Sequence, residues 1–247
     1  MAIKAVFFDL SGVIYDGDTL LPGALETLAH LREQRYTLRF VTNTATKSRA
    51  QILTKLQSLG VQLSSAELFT APDAAQAFVR QHELTPFALV HPSIAPLFDS
   101  PVEPNCVVLG DAREALNYRN LNTAFRLLLK GCPLLVIGDN KYFREDGELS
   151  LDAGPFAHAL QWAAGCEARV FGKPSVDFFN QVVATTHYSA RQCLMVGDDV
   201  LGDVGGARDA GLESVLVGTG KYRRGDEDAL TPAATLIPTV AEVTTLL

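Results

Sequence analysis

The chain has 247 residues, of which 47% are hydrophobic and 20% are charged, and its formal net charge is −7. This composition is that of a globular protein with room for one large α/β domain or two smaller ones. The acidic balance argues against non-specific binding to nucleic acid or to an anionic membrane. No apolar run reaches the roughly 18 residues that a membrane span needs. Four widely spaced cysteines without a C-x-x-C motif favour free thiols in a reducing cytoplasm.

Strand and helix patterns alternate from the start of the chain. Lys4–Leu10 is a short apolar run that predicts a strand, and residues 22–34 carry leucines at helical spacing. Thr37–Val41 predicts a second strand. Residues 46–59 predict a helix that ends just before Gly60.

The same alternation continues through the middle and the end of the chain. The further strands predicted are Phe87–Val90, Cys106–Leu109, Leu134–Ile137, Cys193–Val196 and Glu213–Val217, with helices over 116–130 and around 204–210. Strands that alternate with helices predict an α/β fold, a Rossmann-like doubly wound parallel sheet covered on both faces. We expect two domains: a core made of residues 1–72 and 171–247, and a second α/β unit, residues 73–170, inserted into it.

Polar side chains stand where several of these strands end. Asp9 ends the first strand, Thr42 and Asn43 follow the second, and Asp198 and Asp199 follow Cys193–Val196. Lys173 belongs to a short Gly-Lys-Pro turn that comes after Arg169–Phe171. Ligands bind at the carboxyl ends of parallel strands, so the sequence predicts that acids, a lysine and a hydroxyl converge at one mouth.

That set of side chains suits phosphoryl transfer. A carboxylate attacks phosphorus and becomes an aspartyl-phosphate, and a Mg²⁺ ion held by other carboxylates neutralises the developing charge. A lysine and a hydroxyl bind the remaining phosphoryl oxygens. The sequence therefore predicts Mg²⁺-dependent phosphoryl-transfer chemistry on a small phosphorylated substrate.

Four short motifs occur in order along the chain. They are Asp9-Leu10-Ser11-Gly12-Val13, Thr42-Asn43, Gly172-Lys173-Pro174, and Gly197-Asp198-Asp199 followed by Asp203 and Gly206. This ordered set resembles the haloacid dehalogenase-like (HAD) superfamily, in the subgroup (subfamily IIA) with a large C2-type α/β cap between the second and third motifs. The resemblance spans nearly the whole chain. It implies a HAD core with an inserted cap domain that covers the mouth and selects the substrate.

The resemblance also assigns a role to each motif residue. It implies a Mg²⁺-dependent phosphohydrolase in which Asp9 is the covalent nucleophile and a metal ligand. Asp198 is a direct ligand of the metal, and Ser11 offers its backbone carbonyl to it. The phosphoryl group is held by Thr42, Asn43 and Lys173. Two further acids, Asp199 and Asp203, orient both the metal-bound water and the Lys173 side chain. The resemblance also suggests a homodimer.

Ser11 departs from the pattern of most phosphatases in the superfamily, which carry an aspartate there as general acid and base. A serine hydroxyl titrates far too high to protonate a leaving group at neutral pH. General acid–base catalysis is typically worth about 10²–10⁴ in rate, or roughly 3–5 kcal/mol. Phosphoramidates and pyrophosphate depend on it less than alkyl phosphate esters do. Ser11 therefore favours P–N bonds or pyrophosphate as substrates.

Several alternatives stay open at this point. The chain could be a sugar or nucleotide phosphate phosphatase, or a phosphotransferase or C–halogen hydrolase on the same fold, because fold alone does not determine function. A dehalogenase would not need the cluster of Asp198 and Asp203. A relative that lost its acid/base residue could also be a catalytically weakened protein that only binds phosphorylated groups.

Overall fold

The computed structural model describes residues 2–100, 102–145 and 148–247, and the chain divides into two compact units. The first unit comprises the chain up to Thr42, Ile52–Phe69 and Lys173–Leu247. The second comprises Asn43–Gln51 and Thr70–Gly172. In the part of the chain that is described, no helix is long and apolar enough to cross a membrane.

Strands and helices alternate along much of the described chain. The strands are β1 (Ala5–Asp9), β2 (Tyr15–Asp16), β3 (Thr19–Leu20), β4 (Thr37–Thr42), β5 (Leu68–Thr70), β6 (Pro86–Leu89), β7 (Cys106–Leu109), β8 (Leu134–Ile137), β9 (Tyr142–Glu145), β10 (Glu148–Leu151), β11 (Ala168–Phe171), β12 (Cys193–Gly197), β13 (Glu213–Val217) and β14 (Leu236–Ile237). The α-helices are α1 (Ala24–Glu33), α2 (Arg49–Ser58), α3 (Ala71–Gln81), α4 (Tyr118–Leu129), α5 (Ala153–Ala164), α6 (Val176–Ala184) and α7 (Gly206–Asp209). A π-helical turn, Val200–Gly205, leads into α7.

The first unit contains a six-stranded sheet with the order β14-β13-β12-β1-β4-β5. Neighbouring strands from β14 to β4 pair in parallel. From β1 the chain moves to β4 and β5 on one side, and it later returns to build β12, β13 and β14 on the other. The strand order therefore reverses beside β1, and open α/β sheets bind their ligands at such a reversal.

Apolar strands explain why this sheet is buried on both faces. All five residues of β1 are buried, and so are all five residues of β12. The rings of Phe8 and Phe40, on adjacent strands, stack with their centres 6.1 Å apart. Strands of a parallel sheet are covered by helices on both faces, which is why they form continuous apolar runs rather than alternating ones.

The second unit has its own four-stranded sheet with the order β11-β8-β7-β6, and each of its pairs is parallel. Strands β9 and β10 pair antiparallel in a separate two-stranded sheet. Thr70 begins α3 because its hydroxyl accepts a hydrogen bond from the Asp73 amide at 3.1 Å. Asn117 begins α4 in the same way. Such caps satisfy amides that have no partner inside a helix.

The α/β fold predicted from the sequence is confirmed, and each strand predicted from an apolar run is present within one or two residues of its expected ends. Helices α3, α5 and α6 were not predicted. Pro72 lies in the first turn of α3, where proline is tolerated because that amide would be unpaired in any case. The helix expected near 204–210 is shorter than predicted, because the π-helical turn occupies its start.

Candidate active site

The carboxyl ends of three adjacent strands bring the candidate site together. Asp9 is the last residue of β1, and Asp198 follows directly after β12. After β13 comes a glycine-rich turn, residues 218–221. Because β1, β12 and β13 are neighbours in the parallel sheet, these ends lie at the same edge.

Lys173 joins two of the acids. Its Nζ atom lies 2.6 Å from Asp9 Oδ1 and 2.5 Å from Asp203 Oδ1. Lys173 is 5% exposed, Asp9 8% and Asp203 1%. Burial alone would lower the pKa of Lys173, but the two carboxylates outweigh it and the pKa is raised. The lysine is therefore a permanent cation that faces the expected nucleophile.

Asp203 organises the backbone around the other acids. Its Oδ2 atom accepts hydrogen bonds from the amides of Asp198 and Asp199 at 3.1 and 3.2 Å, while Oδ1 pairs with Lys173. The π-helical turn presents the residue, since the Asp203 amide in turn donates to the Asp199 carbonyl. Oδ2 of Asp203 is thus hydrogen-bonded by the backbone, while Oδ1 lies in the ion pair with Lys173 without a hydrogen bond of regular geometry.

The Asp198 carboxylate is packed between two stretches of backbone. Its Oδ2 atom accepts from the Lys221 amide at 2.7 Å. A Cβ atom added to Gly12 or to Gly220 would lie 2.0 Å from this oxygen, and both glycines have positive φ. Only glycine allows so close an approach in that conformation. Asp198 Oδ1 is buried and has no hydrogen-bond partner among the described residues.

Two acids of the cluster have raised pKa values. Burial, with repulsion from Asp9 and Asp203, raises the pKa of Asp198 to about 8. Burial also raises the pKa of Asp203 to about 6; Lys173 opposes this shift and Asp9 adds to it. Both carboxylates are held in a setting that disfavours their charge unless a further cation is supplied.

The donor set fits a divalent cation. One carboxylate oxygen from each of Asp9, Asp198 and Asp203 lies within 4.8 Å of the others. Three buried acids lie here, and Lys173 forms ion pairs with two of them, Asp9 and Asp203. The unpartnered Asp198 oxygen offers a ligand atom. Hard cations such as Mg²⁺ take oxygen ligands of this kind. Because both oxygens of Asp203 are already engaged, Asp9 and Asp198 are the better candidates for direct ligands.

Asp199 and Lys221 form a second pair at the rim. Asp199 Oδ1 accepts from the amides of Leu201 and Gly202, which begins the helical turn, and Oδ2 lies 3.3 Å from Lys221 Nζ. Burial would raise the pKa of Asp199, but attraction to Lys221, the hydrogen bond from the Gly202 amide and attraction to Lys173 together outweigh it, and the pKa is lowered. The Lys221 side chain is 54% exposed, so this ion pair contributes little to stability.

The remaining predicted site residues are Ser11, Thr42 and Asn43. Ser11 is exposed and forms an isolated β-bridge with Tyr15. Thr42 is buried at the end of β4, next to β1 in the sheet. Asn43 belongs to the second unit, where a Cβ atom on Gly172 would lie 2.4 Å from its Oδ1 atom.

The glycine-rich turn after β13 was missed by the sequence-based reasoning. Gly220 and Lys221 contact Asp198, and Thr219 donates to the Gly12 carbonyl at 2.5 Å. The signal was available, because Gly-Thr-Gly-Lys follows directly after a predicted strand. A strand end with two glycines and a lysine is a place where backbone can approach a ligand site closely.

Family models match both ends of the chain. Residues 6–117 match a model described as haloacid dehalogenase-like hydrolase, and residues 170–243 match one described as HAD-hydrolase-like. Human phospholysine phosphohistidine inorganic pyrophosphate phosphatase is 40% identical over 233 residues, which cover 91% of this chain and 86% of that protein. Bovine haloacid dehalogenase-like hydrolase domain-containing protein 2 is 42% identical, covering 94% of this chain and 90% of that protein.

Solved structures share the fold at lower identity. A p-nitrophenyl phosphatase from Archaeoglobus fulgidus has a TM-score of 0.90 and 23% identity, with 100% of each chain covered. A 4-nitrophenylphosphatase from Thermotoga maritima has a TM-score of 0.89 and 24% identity, covering 98% of this chain and 97% of that one. With the relatives at about 40% identity, these matches lead to one conclusion: the chain belongs to the haloacid dehalogenase-like hydrolases, among the phosphatases of that family.

Proposed function

We propose that the protein is a Mg²⁺-dependent phosphohydrolase that works through an aspartyl-phosphate on Asp9. The observation that carries this proposal is the buried cluster of Asp9, Asp198 and Asp203, in which Asp9 and Asp203 form ion pairs with Lys173. The Asp9 carboxylate lies beside the positive charge of Lys173 and among oxygens that can bind a metal cation. Positive charge at this place suits an anionic substrate. We assign Asp9, Asp198 and the Ser11 backbone carbonyl to the metal.

The reaction then follows in two steps. An oxygen of Asp9 attacks phosphorus, the bond from phosphorus to the leaving group breaks, and an aspartyl-phosphate forms. Water then attacks this phosphorus, which releases phosphate and restores the Asp9 carboxylate. Mg²⁺, when bound, supplies positive charge next to the phosphoryl oxygens. The phosphoryl oxygens are held by Lys173, Thr42 and Asn43. Asp203 fixes Lys173, and Asp199 fixes the π-helical turn that carries Asp203.

Ser11 supports a preference for P–N bonds or pyrophosphate over alkyl phosphate esters. Its hydroxyl supplies no proton at neutral pH, and the pKa of the neighbouring Tyr15 is raised to about 12 by burial and by repulsion from Asp9 and Asp18. Neither side chain is therefore a proton donor matched to an alkoxide leaving group. The name of the human relative, which mentions phospholysine, phosphohistidine and inorganic pyrophosphate, agrees with this preference.

We also propose a role for the second unit, a cellular compartment and an oligomeric state. The second unit serves as the inserted cap domain that selects a small phosphorylated substrate. The four cysteines are free thiols, which fits a reducing compartment such as the cytoplasm. We propose the homodimer on family resemblance alone.

One substrate panel tests the proposal. Imidodiphosphate, pyrophosphate, phospholysine and a sugar phosphate are compared with Mg²⁺ and with EDTA. We expect turnover that depends on Mg²⁺ and a kcat/KM for the P–N and pyrophosphate compounds at least about 10² above that for the sugar phosphate. Wild-type preference for the sugar phosphate supports a sugar or nucleotide phosphatase instead. Binding without any turnover supports a phospho-group-binding protein.

The Ser11→Asp variant tests the chemical reason. It restores a carboxyl group where most phosphatases of the family have one, and it should raise the single-turnover rate on sugar phosphates far more than the rate on imidodiphosphate. Ser11→Ala is the matched control and should leave the ranking of substrates unchanged. Equal effects of Ser11→Asp on both classes in the phosphorylation step would contradict the explanation.

A further inference from the structure

One lysine of α2 holds the tip of the hairpin formed by β2 and β3, which begins shortly after Ser11. Lys55 Nζ donates to the Gly17 carbonyl at 2.6 Å and lies 3.0 Å from Asp18 Oδ1. It also lies 4.4 Å from the centre of the Tyr15 ring. The Lys55 side chain is only 16% exposed. Three contacts of different kinds therefore converge on one largely buried ammonium group.

The hairpin depends on such support. Each of its strands has two residues, and isolated short hairpins are at best marginally stable in water. Residues 16–19 are all exposed, and a Cβ atom placed on Gly17 would have no other atom within 4 Å. A cation over an aromatic ring and a charge-assisted hydrogen bond to a carbonyl are the interactions that order this exposed tip.

Tyr15 connects the hairpin to the candidate active site. Its carbonyl accepts from the Gly12 amide at 2.7 Å, and its amide donates to the Leu10 carbonyl at 3.1 Å. Tyr15 also forms the β-bridge with Ser11. Gly12 in turn lies directly against the Asp198 carboxylate. A continuous set of contacts thus runs from the Lys55 ammonium to the turn that carries Ser11.

We propose that Lys55 is a positioning residue for the metal site. By fixing the β2–β3 hairpin it fixes the Ser11–Gly12 turn, and with it the backbone carbonyl assigned to Mg²⁺. Lys55 itself touches no reacting group. This inference rests on the proposed function, because it takes Ser11 to be a ligand of the metal.

The contacts do not contribute equally. The Asp18 carboxylate is 97% exposed, and ion pairs with exposed partners are worth little. The Gly17 carbonyl and the Tyr15 ring therefore carry the effect. Lys55→Arg keeps a cation and hydrogen-bond donors at this position, whereas Lys55→Met keeps the aliphatic stem and loses both.

The test measures Mg²⁺ binding by calorimetry and hydrogen exchange at the Gly12 and Tyr15 amides in the full chain. We expect Lys55→Met to raise the Mg²⁺ dissociation constant about three- to thirty-fold and to speed exchange at both amides. Lys55→Arg should restore both quantities to within about threefold of the parent protein. Asp18→Asn should change the dissociation constant less than about twofold. Lys4→Met, at an exposed lysine of the same unit, should change nothing.

The outcomes separate this inference from the proposed function. A structural role alone would lower the melting temperature of Lys55→Met while the Mg²⁺ dissociation constant and the exchange rates of the folded protein stay unchanged, and that result overturns the inference. A parent protein that binds no Mg²⁺ overturns the proposed function as well. If Lys55→Arg does not restore Mg²⁺ binding, something other than the cation and its hydrogen-bond donors is responsible. That result also contradicts the inference.

Discussion

Replacing Asp198 by asparagine should stabilise the metal-free protein at alkaline pH. In the folded chain the pKa of Asp198 is raised from 3.8 to about 8, by burial and by repulsion from Asp9 and Asp203. Between these values the unfolded chain has released its proton and the folded chain has kept it. The free energy of unfolding therefore falls as pH rises from about 4 to about 8, and the loss is complete above the folded pKa.

The size of this effect follows from the shift. One pKa unit corresponds to about 1.4 kcal/mol, so ionising Asp198 in the metal-free fold costs up to roughly 6 kcal/mol. The asparagine side chain of the variant has nothing to ionise, and its amide oxygen could still accept the hydrogen bond from the Lys221 amide.

Urea unfolding at pH 5.5 and 8.5, in EDTA and in Mg²⁺, measures the effect. In EDTA at pH 8.5 the variant should be about 2–6 kcal/mol more stable than the parent, with a smaller difference at pH 5.5. Mg²⁺ should stabilise the parent and leave the variant unchanged. A metal-free variant no more stable than the parent at pH 8.5 would refute the reasoning.

The remaining predictions concern the lysine and the glycines around the same acids. Lys173→Met leaves the carboxylate of Asp203 buried without its cation, so it should lower the free energy of unfolding by about 3–5 kcal/mol and abolish turnover. The Lys173→Met/Asp203→Asn double variant should recover stability without activity, as urea unfolding and turnover assays would show. Gly12→Ala places a Cβ atom against the Asp198 carboxylate, so it should weaken Mg²⁺ binding at least about tenfold by calorimetry, which corresponds to about 1.4 kcal/mol. Gly131→Ala shares the positive φ but meets no atom within 4 Å and belongs to the second unit, so it should leave Mg²⁺ binding unchanged.

Local sequence patterns predicted the parts of the fold that depend on near neighbours. The apolar run ending at Asp9 and the run Cys193–Val196 both became central strands of the sheet. Because parallel strands place their carboxyl ends at one edge, Asp9 and Asp198 could be expected to meet from the strand pattern alone. The helices that were missed, such as α6, begin at polar caps that a search for apolar periodicity does not detect.

The finer arrangement depends on contacts that no local pattern contains. Lys173 is far from Asp9 in sequence, yet it bridges Asp9 and Asp203. That Asp203 uses both of its oxygens within the protein, and so differs from Asp198, follows only from the geometry of the π-helical turn. The support that Lys55 gives to Tyr15 depends on how α2 packs beside the hairpin. Side-chain packing of this kind is set by the tertiary fold and overrides local preference.

The most direct measurement of the central claim is the chemical trapping of phosphate on Asp9. The enzyme is mixed with pyrophosphate and Mg²⁺, quenched in acid within milliseconds, and digested for mass spectrometry. The peptide that contains Asp9 should carry one phosphate on that carboxylate during turnover. The Asp9→Asn variant should be folded by circular dichroism, unphosphorylated and inactive. Turnover by Asp9→Asn within tenfold of the parent, or a phosphate trapped on another residue, would contradict the assignment of Asp9 as the nucleophile.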